Sequence, residues 1–298
     1  MAVLTQEKSR ARLAWWSSQK RRKQVGHVLL HLLLIAAGLS FVMPFAWMVV
    51  TSLKESGTEL IYPPQWIPNP AMWSNYKDAL VNAVPFLVYF KNTMIVTVGA
   101  TAGDVLMSAV VAYSFARLRW PGRNILFMLT LATLMLPSIV TVIPTFLLMR
   151  YLHWIDTFLP LIVPSWAGGS GFSIFLFRQF FLTIPHDLDE AARIDGANPL
   201  RIFWNVILPL SGPVIATVII FDVLNFWNDL FNPLIYLNSE SNYTMALGLT
   251  QYVVGHNGTA YNLQMAAATV MTIPVIVLFF FAQRYFMQGI VTSGLAGR

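Results

Sequence analysis

Six long apolar stretches divide the chain, at residues 28–50, 92–116, 125–149, 158–177, 206–230 and 263–282. A helix needs about 20 apolar residues to cross the hydrocarbon core of a bilayer. The pattern therefore predicts an all-α membrane protein of six transmembrane helices. Four of the stretches hold no Asp, Glu, Lys or Arg; the second carries Asp104, and the fifth carries Asp222 and Asp229. Longer polar segments separate them at 54–90, 178–205 and 235–262, with short links at 117–124 and 150–157.

An even number of spans leaves both termini on one side, and basic residues mark the cytoplasmic side. With the N-terminus inside, the outer segments hold only Lys54, Lys77, Lys91 and Arg150 of the 19 Lys and Arg. Both termini are therefore expected in the cytoplasm, with a basic segment over 1–27 preceding one membrane domain over 28–298. Trp15 and Trp16 stand beside the basic run at 20–23. Amphipathic rings of that kind suit a membrane interface, so the run reads as a topology signal and a contact for anionic lipid rather than for nucleic acid. The first span is too long for a signal-peptide core, and no small-residue cleavage site follows it.

Composition narrows the chemistry. Of the 298 residues 56% are hydrophobic and 11% charged, against about 25% charged in an ordinary soluble domain. The mean hydropathy is +0.61. Cysteine is absent, which removes disulfides and thiolate metal sites. His27, His31, His153, His186 and His256 are scattered. No phosphate-loop, zinc-hydrolase or nucleophile-elbow pattern is found. "GGSG" at 168–171 lacks the lysine of a phosphate loop and is better explained by backbone freedom or close helix packing. No catalytic residue, cofactor or metal site is expected.

The segment 178–205 stands out as the most polar part of the second half. Asp187 is placed to cap a helix, with Glu190 three residues on in a variant capping box. Gly196 is a natural residue just past that helix's end, and Asn198-Pro199 start a second helix. The segment reads as helix, Gly turn, helix, leading into the fifth span. Leu188, Ala191, Ala192 and Asp195 share one face by the 3.6-residue period. The two alanines leave that face shallow enough for another protein to approach.

"EAARIDGANPLRIFWNVILPL" (190–210) resembles the EAA signature of the membrane subunits of bacterial ATP-binding-cassette (ABC) importers, matching at Glu190, Ala191, Ala192, Gly196, Leu208 and Pro209. "IFLFRQFFLTIPHDLDEAARIDGA", "YPPQWIPNP", "AYSFARLRWPGR", "FWNDLFNPL" and "AQRYFMQGIVTSGLAGR" resemble the maltose-type carbohydrate uptake permeases, in particular the smaller of their two partner subunits. The resemblance implies that 187–196 is a coupling helix between the fourth and fifth spans that docks on a cytoplasmic ATPase dimer. Leu188, Glu190, Ala191, Ala192, Asp195, Gly196, Leu208 and Pro209 would be the coupling residues. It further implies a second, larger permease, an extracytoplasmic solute-binding protein, a sugar as substrate, location in the bacterial inner membrane, and a C-terminus that meets the ATPase. This chain ends in Arg298 where such proteins more usually end in Lys-Gly.

Charge at mid-bilayer costs about 2.5–3.5 kcal/mol on insertion scales, so it faces protein or water. Asp222, Asn225, Asp229 and Asn232 fall on one stripe of a continuous fifth helix. In the second span Thr97, Thr101, Asp104 and Ser108 make another, with Gly99 and Gly103 opposite and suited to close packing. The stripes are expected to line a route for a polyhydroxyl solute; for Asp104, interhelical hydrogen bonding is an equally good reading. No outer basic cluster argues for a phosphate, which favours a neutral di- or oligosaccharide. A self-sufficient secondary transporter or channel for a small polar solute is the alternative, but no repeated halves are visible.

Overall fold

The computed structural model describes residues 2–254 and 260–295, with side chains placed for 23–253 and 260–283. His256, the tail at 296–298 and the side chains of the basic run before Lys23 lie outside the described residues. All regular structure among the described residues is helical. In chain order it comprises α1 (Ala2–Ser52), α2 (Ser74–Lys77) continuing as a π turn (Asp78–Ala83), α3 (Phe86–Arg117), α4 (Arg123–Thr133), α5 (Ser138–Tyr151), α6 (Leu159–Trp166), α7 (Gly171–Thr183) and α8 (Asp187–Ile194). Then come α9 (Pro199–Ile202), a π turn (Phe203–Ile207), α10 (Leu208–Leu210), α11 (Gly212–Trp227), α12 (Phe231–Tyr236), a 3-10 turn (Glu240–Asn242), α13 (Met245–Gly248), α14 (Gln251–Val254) and α15 (Tyr261–Leu295).

Among the described residues four helical stretches are long and apolar enough to cross a membrane: Lys23–Ser52, Phe86–Arg117, Leu159–Thr183 and Tyr261–Gln283. The expected third and fifth spans are not straight helices. Arg123–Thr133 meets Ser138–Tyr151 at 97°, and Pro199–Leu210 meets Gly212–Trp227 at 78°, so the count reaches six only if each bent pair is one span. Proline accounts for both breaks. Pro137 precedes α5 in an extended conformation (φ −61°, ψ 129°), and the residue before a proline is pushed out of the helical region. At the second break Pro209 and Pro213 both lack the N–H that a continuous ladder needs. The Ser211 hydroxyl donates to the Ile207 carbonyl at 2.6 Å between them.

α3 is the hub, packed against α6, α7 and α11. Small residues let the helices approach: Ala100, Ala109 and Ala112 are fully buried along it. A Cβ on Gly103 would meet the Trp166 ring at 2.4 Å. Trp166 in turn donates its indole N–H to the Gly99 carbonyl at 2.9 Å. The two glycines of the second span thus form the contact with α6 that their spacing predicts. At one end of the bundle Phe177, Phe181, Ile207 and Val218 make a continuous apolar core. At the other, Tyr89, Trp227, Met245 and Ala266 make a second, and the Trp227 indole donates to the Met271 carbonyl at 3.1 Å.

The end where α3 begins is roofed by residues 238–245. Tyr89 donates to Glu240 Oε1 at 2.9 Å, Asn92 Nδ2 to the Ser241 carbonyl at 2.8 Å, and the Met245 N–H to Thr93 Oγ1 at 2.8 Å. Asp156, between α5 and α6, latches this roof. Its carboxylate accepts from the N–H groups of Asn238 and Ser239, both at 2.9 Å, from the Ser239 hydroxyl and from Asn242 Nδ2. The Ser239 side chain and backbone, then Asn238 and Asn242, hold its pKa down at about 2.

Candidate functional site

Two regions carry the polar residues that the sequence singles out. The first is the elbow from Pro185 to Ser211. α8 ends as expected: Gly196 has φ +79°, a left-handed conformation that costs a glycine nothing. The Gly196 N–H bonds to the Arg193 carbonyl at 3.0 Å and the Ala197 N–H to the Ala192 carbonyl at 2.9 Å. These are the paired bonds of a Schellman cap. Asn198 then caps α9, accepting from the Arg201 N–H at 2.8 Å, with Pro199 in the first position.

The start of α8 differs from expectation. Its N-cap is His186, without a side-chain cap bond, and Asp187 lies inside the first turn with Asp189 and Glu190. The three acids favour the positive end of the helix by charge alone. Asp189 is buried because Arg117, at the end of α3, draws it inward. The Arg117 guanidinium is inaccessible to solvent and lies 3.3 Å from Asp189 Oδ2. It also donates to the Phe181 and Ile184 carbonyls at 2.6 and 2.5 Å, and to His186 Nδ1 at 3.0 Å. One side chain thus joins α3, the carbonyls at the end of α7 and the first turn of α8. A buried pair of this kind is costly to break from one side, by about 3–5 kcal/mol.

Leu188, Glu190, Ala191, Ile194 and Asp195 remain exposed on α8, whereas Ala192 turns partly onto the apolar core. Ile194 is 87% exposed and Leu200 66%. Leu208 packs on the core and Pro209 stands at the bend into α11.

The second region is a cavity of about 460 Å³ among α3, α6, α7 and α11, lined by Asp104, Ser170, Phe172, Asp222 and Asn225 among others. Asp104 accepts from the Ser170 N–H at the start of α7, and receives hydroxyls from Ser108 at 3.3 Å and Ser170 at 3.4 Å. It thereby holds the N-terminus of α7 to α3. Gly169 makes this approach possible: at φ +75° its Cα faces Ser108 so closely that a Cβ would lie 2.7 Å from the Ser108 backbone nitrogen. Gly169 and Gly171 therefore serve close packing, whereas Gly168 has open space around it and serves a φ of +130°.

The four-residue stripe is corrected. α11 ends at Trp227, where the Asn228 amide donates to the Leu224 carbonyl at 2.8 Å. Only Asp222 and Asn225 share the helix. Asp229 lies in the break, where its carboxylate accepts from the Asn232 N–H at 3.2 Å and the Asn232 amide at 2.8 Å, at the start of α12.

Comparison with known proteins bears on what this geometry serves. Residues 104–292 match the model of the binding-protein-dependent transport system inner membrane component family. The match takes in the elbow and both ends of the cavity. The chain belongs to this family. It is therefore an inner-membrane transport component, and its apolar helices fit a multi-pass protein. Among its relatives, the arabinooligosaccharides transport system permease protein AraQ of Halalkalibacterium halodurans is 32% identical over 83% of this chain and 86% of its own. The sn-glycerol-3-phosphate transport system permease protein UgpE of Pectobacterium atrosepticum is 31% identical over 88% of this chain and 95% of its own. A solved bacterial ABC transporter involved in import of the acidic polysaccharide alginate superposes with a TM-score of 0.77 at 25% identity, covering 89% of this chain and 98% of that one.

Family membership leaves some residues to the structure alone. Arg117 and Asp189 escape a reading of the sequence because they are 72 residues apart and each looks like an ordinary end-of-helix charge. Asp156 has no local pattern at all, since its partners lie 82 to 86 residues on.

Proposed function

We propose that the chain is a permease subunit of an ABC importer for a sugar, with α8 as the helix that receives the stroke of a separate ATPase dimer on the cytoplasmic side. The observation that carries this reading is the elbow: a short helix capped at its end, exposing Leu188, Ala191 and Ile194, and bound by one buried guanidinium to α3 and α7. A face of that kind is small, apolar and preorganised for a protein partner, and its movement is delivered to the bundle rather than lost in a loop. The basic residues of the inner segments favour both termini on the same side as α8. A second, larger permease would complete the translocation path, and an extracytoplasmic binding protein would deliver the solute to the roof formed by 238–245. Asp222 and Asn225, with Asp104 beside them, would line the path; Asp229 and Asn232 would stand nearer its outer mouth. The relatives' names, arabinooligosaccharides above all, support a sugar. The tail beyond Leu295 would add a further contact with the ATPase.

Ala191→Trp tests the docking face, because it adds bulk at an exposed position without touching the core. Membrane abundance should stay normal while the ATPase is lost from the purified complex and ATP-driven uptake falls at least about tenfold, a loss of about 1.4 kcal/mol in coupling. Full ATPase retention with full uptake rejects the role of α8. Solute uptake by the chain alone, driven by an ion gradient without ATP, would instead support a secondary transporter.

A further inference from the structure

The cavity among α3, α6, α7 and α11 has a chemical character that narrows its ligand. Asp222 is only 8% exposed, yet its Oδ2 has no hydrogen-bond partner. A buried carboxylate oxygen left without a donor is costly, and here it borders an open space of about 460 Å³, within the range of ordinary ligand sites. Asp104 is the hydrogen-bonding neighbour of the Asp222 carboxyl, and a hydroxyl of an entering solute is the further donor that the open side of this carboxyl pair would accept. Asp104 lines the same cavity, and its bonds to Ser170 and Ser108 occupy it without adding positive charge. No Lys, Arg or His is among the lining residues, so an anion would meet two carboxyl groups and no counter-charge.

The walls are aromatic. The Phe172 and Phe221 rings stand 5.6 Å apart at 85°, offering one face and one edge, and Phe226 adds a third ring. Flat apolar faces beside a free acceptor and the Asn225 amide match a ring that carries C–H groups on its faces and hydroxyls on its rim. On these grounds, and resting on the permease reading above, the geometry points to this cavity as a subsite for an uncharged sugar unit, with Asp222 as the hydroxyl acceptor and the Asp104–Asp222 pair as the feature that rejects anionic solutes. This separates the chain from relatives named for sn-glycerol 3-phosphate and from the transporter of acidic alginate.

The absence of cysteine provides the test. Ser165→Cys introduces one thiol into the lining, in the assembled importer with cysteine-free partner subunits; Asn225→Cys is a second reporter should the first fold poorly. Size-matched cationic and anionic thiosulfonate reagents are compared, each normalised to its rate with a free thiol. The cationic reagent should react about tenfold faster, the ratio should fall when Asp222→Asn is added and fall further when Asp104→Asn joins it, and arabinotriose on its binding protein should protect the thiol. Equal rates for both reagents, or protection by sn-glycerol 3-phosphate and not by arabinotriose, overturns the subsite. ATP hydrolysis in the same vesicles keeps the two readings apart. If it responds to loaded binding protein while the thiol shows neither charge preference nor protection, only the subsite falls. If no solute of the panel stimulates it, the permease reading falls as well.

Discussion

Gly196 and Asp156 show how single residues set the two ends of the molecule. At Gly196 an added Cβ would meet nothing within 4 Å, so the cost of substitution is backbone strain rather than clash. A β-branched residue in the left-handed region costs about 1–3 kcal/mol. Gly196→Val should therefore leave the bundle folded and at normal abundance while displacing α8, seen as weakened ATPase association and reduced uptake. Gly196→Asn, which tolerates this conformation better, should recover part of both. Asp156 answers to pH. Its pKa is depressed in the folded chain, so its contribution is present above the usual carboxylate value of 3.8 and is lost as pH falls towards about 2. The protection of the Asn238 and Ser239 amides against hydrogen exchange, taken relative to the intrinsic rate at each pH, should hold down to about pH 4 and fall below it. Asp156→Ala should lower that protection at every pH, with no pH step remaining.

Among the helices, two contacts of α3 hold the bundle together, one at the elbow and one on α6. The first is the Arg117 joint. Either Arg117→Met or Asp189→Leu leaves one buried group without its partner, and each should destabilise the detergent-solubilised protein by about 3–5 kcal/mol. Joined in one chain, the two changes should restore much of the lost thermal stability, because neither charge is then stranded. Uptake per ATP should stay low in the double variant, since the carbonyls of Phe181 and Ile184 have lost the donor that ties α7 to α3. Recovery of stability and coupling together would make the joint a packing element only. The second contact is α3 on α6. Gly103→Leu drives a side chain into the Trp166 ring and should cost about 1–3 kcal/mol by overpacking, read as a lower melting temperature. Trp166→Ala in the same chain should offset part of that loss.

The whole molecule has the exposed apolar surface of a subunit. Val28 to Phe45 of α1 face outward on every side, which suits lipid or another membrane protein and not water. The chain should co-purify with a second permease and an ATPase dimer, and its melting temperature should drop when either is withheld. A stable homodimer that transports solute without an ATPase would refute this assembly. From the chain alone one could read the helical class, the apolar segments, Gly196 as the residue that ends α8, the Asn198 cap and the close packing at the glycines of α3. Each of these rests on neighbours within a turn or two, or on a run of apolar residues, and such local preferences survive whatever surrounds them. Only the tertiary structure decided that the third and fifth spans bend, that Asp229 and Asn232 leave the stripe of Asp222, and that Asp104 holds the start of α7. It also decided that Asp189, in the first turn of α8, faces inward to Arg117 rather than outward to water. These outcomes depend on partners 66 to 72 residues away or on prolines whose effect varies with what packs around them. A buried charge goes where a buried partner can satisfy it, and that location is set by the folded chain.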